Sequence, residues 1–220
     1  MSRSLVLLSG GIDSATALAH AHRESSEVIA LSFEYHLRPF REKLASYRLL
    51  QVYPAKLIET PLPFLKEAGD ALPRLPEGIP EGYVSNRNLV FYALAAHFAE
   101  LTGCERIVGG HTAEDREAFP DASPAFFERL ESLINEAMLM RKIRIELPLA
   151  KMSKLQVLQK AHEWNVPLRY TWSCYWDGAM PCGRCVSCTE RAEAFRLAGL
   201  EDPLGQEILN PKNEIRNKFQ

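Results

Sequence analysis

Apolar positions in this 220-residue chain fall into short continuous runs that alternate with longer stretches of helix formers. Leu5 to Leu8 is apolar throughout and bounded by polar residues, which suits a strand buried on both faces of a parallel sheet. Glu27 to Tyr35, with Val28, Ile29, Ala30, Leu31 and Phe33, reads as a second strand. Ala55 to Thr60, stopped by Pro61 and Pro63, reads as a third, and Arg106 to Gly110 and Ile143 to Leu149 as the fourth and fifth. Between them lie helical stretches: Ala15 to Ala21, with Asp13 or Ser14 placed to cap it, then Arg41 to Tyr53, Asn88 to Leu101, Pro124 to Met138, Ser153 to Trp164 and Thr189 to Ala198. Asn88 to Leu101 is apolar around most of its circumference and should be buried against the sheet; Pro124 to Met138 packs outside the basic fold. Strand and helix alternating through right-handed crossovers predict an α/β fold, a doubly wound, mainly parallel five-stranded sheet with flanking helices in one domain over residues 1–220.

In such a sheet ligands collect beyond the carboxyl ends of the strands. The first strand empties into Ser9-Gly10-Gly11-Ile12-Asp13-Ser14, a glycine turn that leads straight into a helix N-terminus. Unpaired N–H groups and the positive end of the helix dipole favour an anion there, and phosphate is the natural occupant. No Lys follows the second glycine, so the turn is not a G-x-x-x-x-G-K-[ST] loop, and the G-x-G-x-x-G spacing is absent too. The same rim collects Glu34-Tyr35-His36-Leu37-Arg38 with Arg41, the polar flank Tyr83 to Asn88, His111-Thr112-Ala113-Glu114-Asp115 after the fourth strand, and Ser153-Lys154 at a helix start. Pro61 to Gly82 is rich in Pro and Gly and reads as a loop or lid near this rim, with a possible short helix at Phe64 to Leu72. His97 reads as a packed or half-exposed histidine and not a ligand.

Charge then narrows the partners. Lys and Arg number 26 against 28 Asp and Glu, so the global field draws neither nucleic acid nor an anionic membrane. No apolar run approaches the roughly 18 residues of a membrane span, and no signal segment precedes the first strand, so the chain is expected in the cytoplasm. Four of five cysteines, Cys174, Cys182, Cys185 and Cys188, lie within fifteen residues, and in a reducing compartment that spacing points to a metal. Four thiolates suit a tetrahedral Zn²⁺ with no open position, hence a structural site on the segment 171–198; an iron–sulfur cluster is the chemical rival. Cys104 reads as a small buried side chain, and the polar tail Gln206 to Gln220 as irregular.

The turn Ser9 to Ser14 resembles the signature of the PP-loop ATP pyrophosphatases, which cleave ATP between the α and β phosphates and adenylate an acceptor. Further stretches narrow the likeness: Glu81-Gly82-Tyr83-Val84 with Arg87-Asn88, Pro120-Asp121, Ile145-Glu146-Leu147-Pro148-Leu149, Ser153-Lys154, Thr171-Trp172-Ser173-Cys174-Tyr175, and Pro181 to Cys188. Together, from Leu8 to about Phe195, they resemble the 7-cyano-7-deazaguanine synthase family of queuosine and archaeosine precursor synthesis. The resemblance implies an adenine nucleotide α-hydrolase-like fold and an ATP-dependent carbon–nitrogen ligase, with ATP, Mg²⁺ and one structural Zn²⁺ per chain. The carboxylate of 7-carboxy-7-deazaguanine would take AMP from ATP, ammonia would displace the AMP to give an amide, and a second ATP would activate the amide for elimination to the nitrile. Leu8, Ser9, Gly10, Gly11, Ile12, Asp13, Ser14, Ala15, Thr16, Ala17 and Leu18 would form the nucleotide site. Asp13, Ser14, Arg87 and Lys154 would act in catalysis, while Arg38, Asn88, His111 and Asp115 would face the acceptor. A homodimer is implied, with no stable nucleic-acid partner and no membrane.

Several rim segments depart from the family pattern. Glu34 to Arg38 stands for Asp-Tyr-Gly-Gln-Arg, Ser85-Asn86-Arg87-Asn88 for Pro-x-Arg-Asn, and Glu117 to Ala122 for Ser-Gly-Tyr-Pro-Asp-Cys. A related ligase that adenylates another carboxylate is therefore an alternative, and a tRNA-modifying enzyme of the same fold is a second.

Overall fold

The structure, a computed structural model, describes residues 2–35, 38–66, 77–79 and 83–206. Five strands, β1 (Arg3–Leu7), β2 (Glu27–Tyr35), β3 (Lys56–Leu62), β4 (Arg106–Val108) and β5 (Arg144–Glu146), pair in the order β3-β2-β1-β4-β5, all parallel. The helices are α1 (Ile12–Glu24), α2 (Phe40–Val52), α3 (Arg87–Thr102), α4 (Ala113–Ala118), α5 (Pro124–Ala137), α6 (Lys154–Glu163), α7 (Val186–Ala198) and the short α8 (Pro203–Gln206). The doubly wound α/β sheet expected from the alternation is present.

Alternation along β1 divides the core. Leu5 points into one layer with Ile29, Leu31, Phe33 and Ile107, which α3 and α5 cover through Tyr92, Ala95, Ala99, Phe127 and Leu130, so α5 belongs to the core layer and does not pack outside the basic fold. Val6 and Leu8 point into the other, which α1, α2 and α6 cover through Ala15, Leu18, Leu49 and Ala161. The run Leu5 to Leu8 is apolar at every position because both faces are covered. Chain leaves β1 toward β2 on one side and β4 toward β5 on the other, so the topological switch lies between β1 and β4, and the crevice opens beyond their carboxyl ends.

The elements differ from expectation at their ends. The α1 N-cap is Gly11, without a side-chain cap, so Asp13 and Ser14 sit inside the first turn and are not its cap. β3 continues through Pro61, paired with Glu34; an edge strand has a side with no partner, where the missing N–H is tolerated. β4 and β5 have three residues each, shorter than the runs suggested. α3 buries one face only, leaving Leu89, His97 and Leu101 exposed, so its apolar circumference overstated its burial. α7 starts earlier than expected, with Cys185 at its N-cap and Cys188 in its first turn. Cys104 is fully buried. His36, Leu37, most of the lid segment with its possible helix, Glu81-Gly82, and the tail beyond Gln206 lie outside the described residues.

Candidate active site

A cavity of about 630 Å³ opens at the switch point, walled by the glycine turn, the end of β2, the starts of α2 and α3, the segment after β4, and the stretch from Trp172 into α7. Its floor is the turn itself. Gly10 adopts φ +112°, and a Cβ there would lie 2.3 Å from the Glu42 carbonyl oxygen, so α2 packs directly on the turn. Gly10 N donates to Ser14 Oγ at 3.1 Å, Ser14 Oγ donates to Gly11 O at 3.1 Å, and the Ser9 and Ser14 hydroxyl oxygens are 3.1 Å apart. The turn is thus closed by its own hydroxyls. The N–H groups of Ile12, Asp13 and Ser14, in the first turn of α1, have no intrahelical partner and lie on residues that line the cavity.

Two more glycines bring the far wall close. At Gly110 a Cβ would meet the Asp13 carbonyl at 2.8 Å, and at Gly109 it would meet the Tyr92 hydroxyl at 1.8 Å. The chain after β4 therefore passes over the start of α1 and delivers His111 and Asp115 to the cavity. His111 rests against Tyr92 and Phe127, and burial, with Arg87 and Lys154 nearby and only partly offset by Asp115, lowers its pKa to about 4. It is a neutral imidazole at pH 7. The Asp115 carboxylate accepts from Thr112 N at 2.8 Å and Thr112 Oγ1 at 2.9 Å, a capping box that starts α4. Burial would raise its pKa, but Lys154, the Thr112 N–H and His111 bring it below the ordinary carboxylate value.

Lys154, first residue of α6, crosses the cavity to Asp13, Nζ to Oδ2 at 2.6 Å. A capping box of Ser153 and Gln156 holds the helix start, and Lys154 N donates to Glu114 Oε1 at 2.9 Å. Burial opposes the ammonium, yet Asp13 and Asp115 outweigh it, so the pKa of Lys154 is raised and the residue is a cation. For Asp13 burial outweighs Lys154, with Asp115 and Glu114 adding repulsion, and its carboxyl is pushed up. Glu190 of α7 lines the same end of the cavity and is raised by burial, against the pull of Lys154. One cation thus stands among several acids, an arrangement that a polyanion with its counter-cation would rebalance.

The remaining predicted residues divide by what holds them. Arg38 lines the cavity, but its guanidinium donates to Ser9 O at 2.6 Å, Phe33 O at 2.7 Å and Ser32 Oγ at 3.0 Å, tying the end of β2 to the turn. Asn88 lines it too, while its Nδ2 donates to Asp121 O at 3.0 Å and its backbone N–H donates to the Asp121 carboxylate at 3.1 Å. Arg87, at the start of α3, lines the cavity near enough to Tyr35 to oppose the upward shift that burial gives its hydroxyl. Ala15, Thr16, Ala17 and Leu18 are buried within α1 and do not line the cavity. Glu42, which sequence reasoning passed over, faces the cavity; burial raises its pKa against the pull of Arg38, the Ser9 hydroxyl and Arg87. Its signal was weak, an acid four residues after Arg38 in an ordinary helical stretch.

The cysteine segment is a wall of the cavity. Trp172 N donates to Gly10 O at 2.9 Å, and Trp172, Tyr175, Trp176 and Arg191 line the opening. Arg191, 6% exposed, pairs with both carboxylate oxygens of Asp202 and donates to Thr171 Oγ1, which anchors α7 beneath this wall. The Sγ atoms of Cys174, Cys182, Cys185 and Cys188 all lie within 4.8 Å of one another, and Cys182 and Cys188 are 3.9 Å apart. A tetrahedral ion with 2.3 Å bonds needs S···S edges of about 3.8 Å, so the set fits a single metal ion. Backbone N–H groups of Trp176 and Cys182 point at Cys174 Sγ, and that of Cys185 points at Cys182 Sγ, the outer hydrogen bonds that support thiolate ligands.

Residues 3–199 match the family described as Queuosine biosynthesis protein QueC. The chain is similar to the 7-cyano-7-deazaguanine synthase of Thermoplasma acidophilum, 36% identical over 219 residues that cover 93% of this chain and 92% of that protein. It is also similar to the one from Sulfurovum sp., 34% identical over 215 residues, with 92% and 97% covered. Among solved structures, NMN synthetase from Francisella tularensis shares the fold, with a TM-score of 0.54 at 17% identity, covering 94% of this chain and 82% of that one.

Proposed function

The chain belongs to the queuosine biosynthesis protein QueC family, and on that premise we propose that it converts 7-carboxy-7-deazaguanine and ammonia to 7-cyano-7-deazaguanine at the expense of ATP. The observation that carries this reading is the polarity of the cavity. One end offers a helix N-terminus and the half-buried Lys154 to phosphates; the other offers aromatic side chains to a planar ring. The substrate carboxylate attacks the α-phosphorus of ATP, the bond to the β-phosphate oxygen breaks, and pyrophosphate leaves. Ammonia adds to the acyl carbon and AMP departs, leaving an amide. Attack of the amide oxygen on a second ATP, with loss of pyrophosphate, then AMP and protons, yields the nitrile.

The free N–H groups of Ile12, Asp13 and Ser14 would bind the phosphates, and Lys154 would neutralise charge building on the leaving pyrophosphate. Asp13, a carboxylate lining the phosphate end of the cavity, would hold a Mg²⁺ that screens the phosphate oxygens. Arg87, beside Tyr35, would supply further positive charge, and His111 and Asn88 would bound the acceptor. Cys174, Cys182, Cys185 and Cys188 would hold Zn²⁺: a multi-iron cluster places its thiolates on separate irons, wider apart than this tight set. No helix among the described residues is long and apolar enough to cross a membrane, and the proposed setting is the cytoplasm. A homodimer is part of the same reading, supported by the exposed Leu101, Leu139 and Met140, neighbours through the Glu100 carboxylate that accepts from Leu139 N and Met140 N.

The deciding experiment incubates metal-replete protein with ATP, MgCl₂, ammonium and 7-carboxy-7-deazaguanine and follows base and nucleotide by mass spectrometry. Nitrile with AMP and pyrophosphate is expected. AMP formation with another carboxylate but not with this acid would keep the reaction class and discard the substrate.

A further inference from the structure

The N-terminus of α2 has no cap of its own, since Pro39 occupies the N-cap position and offers no side-chain acceptor. Its acceptor comes from the cysteine segment instead. Asp177, between Cys174 and Cys182, accepts from Phe40 N through Oδ2 at 2.7 Å and from Arg41 N through Oδ1 at 2.9 Å. Both carboxylate oxygens are engaged, and the negative charge sits at the positive end of the helix dipole. The Arg41 guanidinium adds a second contact, 5.8 Å from the centre of the Trp172 ring.

What this clasp holds is the floor of the cavity. Phe40 follows Arg38 and Pro39 directly, and Arg38 grips the Ser9 carbonyl. Two residues further on, the carbonyl of Glu42 lies so close to Gly10 that a Cβ there would sit 2.3 Å from it. A shift of the first turn of α2 therefore moves both Arg38 and the backbone that bears on Gly10. We propose that Asp177 is a positioning residue for the glycine turn, docking the metal-binding segment onto α2 so that the turn keeps its nucleotide-binding shape; this rests on the reading of the cavity as an ATP site.

The test compares wild type, Asp177→Ala, Asp177→Asn and, as a control on the same loop, Met180→Ala, each loaded with metal. Three quantities are read: bound metal by elemental analysis, amide exchange at Phe40 and Arg41, and affinity for α,β-methylene-ATP with MgCl₂. Asp177→Ala should keep its metal, exchange those amides faster, and bind the analogue roughly threefold to tenfold more weakly, the scale of a lost helix cap. Asp177→Asn, which retains one acceptor oxygen, should fall between, and Met180→Ala should match wild type. In turnover, KM for ATP should rise by more than kcat falls. Unchanged affinity in Asp177→Ala, loss of its metal, or an equal defect in Met180→Ala would overturn the proposal. Failure of wild type to bind the analogue would instead overturn the ATP reading, and the exchange rates would still judge the clasp.

Discussion

Between pH 6.5 and 4 the unfolded chain takes up a proton at His111 that the folded chain refuses, because burial against Tyr92 and Phe127 holds the imidazole at about 4. A depressed folded pKa means that stability from this group is complete above pH 6.5 and is lost as pH falls, by about 3 kcal/mol at pH 4. Denaturant titrations at pH 7 and 4.5 should therefore show a smaller stability loss in His111→Gln than in wild type; equal losses would contradict the buried neutral state. Lys154→Met keeps the aliphatic stem and removes the charge, leaving Asp13 without its partner. AMP formation should fall at least about a hundredfold with metal content and circular dichroism unchanged. Asp13 and Lys154 were both legible as rim residues, but their pairing was not, since 141 residues separate them. For Asp115 a local signal was passed over: Thr112-x-x-Asp115 is capping-box spacing, and the structure uses that carboxylate first to start α4.

Helices reach this cavity by their starts, and several of those starts are held by residues far away in the chain. Asp121 accepts from Asn88 N at the head of α3, whose N-cap, Asn86, is left-handed and makes no cap bond of its own. Asp121→Ala should cost about 1 kcal/mol in a denaturant titration. The Gly10 site is less forgiving, because a Cβ at φ +112° would face the backbone of α2 and neither side can yield. Gly10→Ala should lower stability by at least about 2 kcal/mol and abolish binding of the ATP analogue; a stable, binding-competent variant would show that α2 can withdraw. Element identity was readable from the chain because strand and helix periods alternate cleanly. Element ends were not: β3 runs through Pro61 because it lies on the sheet edge, and α3 leaves Leu89 and Leu101 exposed because only one of its faces meets β1 and its neighbours. Both facts belong to the assembled sheet.

Across the whole molecule the cysteine centre stands over a thin core. Its apolar neighbours are few, Ala45, Trp172 and Leu204 beside the cysteines themselves, so a metal held there would supply much of the cohesion. Stripping the metal with a chelator under reducing conditions should lower Tm by roughly 5–15 °C and shift tryptophan emission to the red, while far-ultraviolet circular dichroism from the sheet layers persists. An unchanged melt would make the cysteines dispensable to the fold. Four cysteines at this spacing pointed to a metal site from the sequence, and the structure gathers their Sγ atoms within 4.8 Å of one another. That they wall the cavity was illegible, because it depends on Trp172 returning to hydrogen-bond Gly10 across the body of the protein.

That return has a temporal side. Gly10 leaves the ribosome well before its partners do, since the bond to its carbonyl is made by Trp172 and the ammonium facing Asp13 comes from Lys154. A nascent chain can pair β1 with β2 early, but the turn between β1 and α1 is left without these contacts until Lys154, 141 residues beyond Asp13, and then Trp172 have emerged. Ligand capture is then a late event in biosynthesis: a chain that stalls before Trp172 carries the phosphate turn without the contact that finishes it.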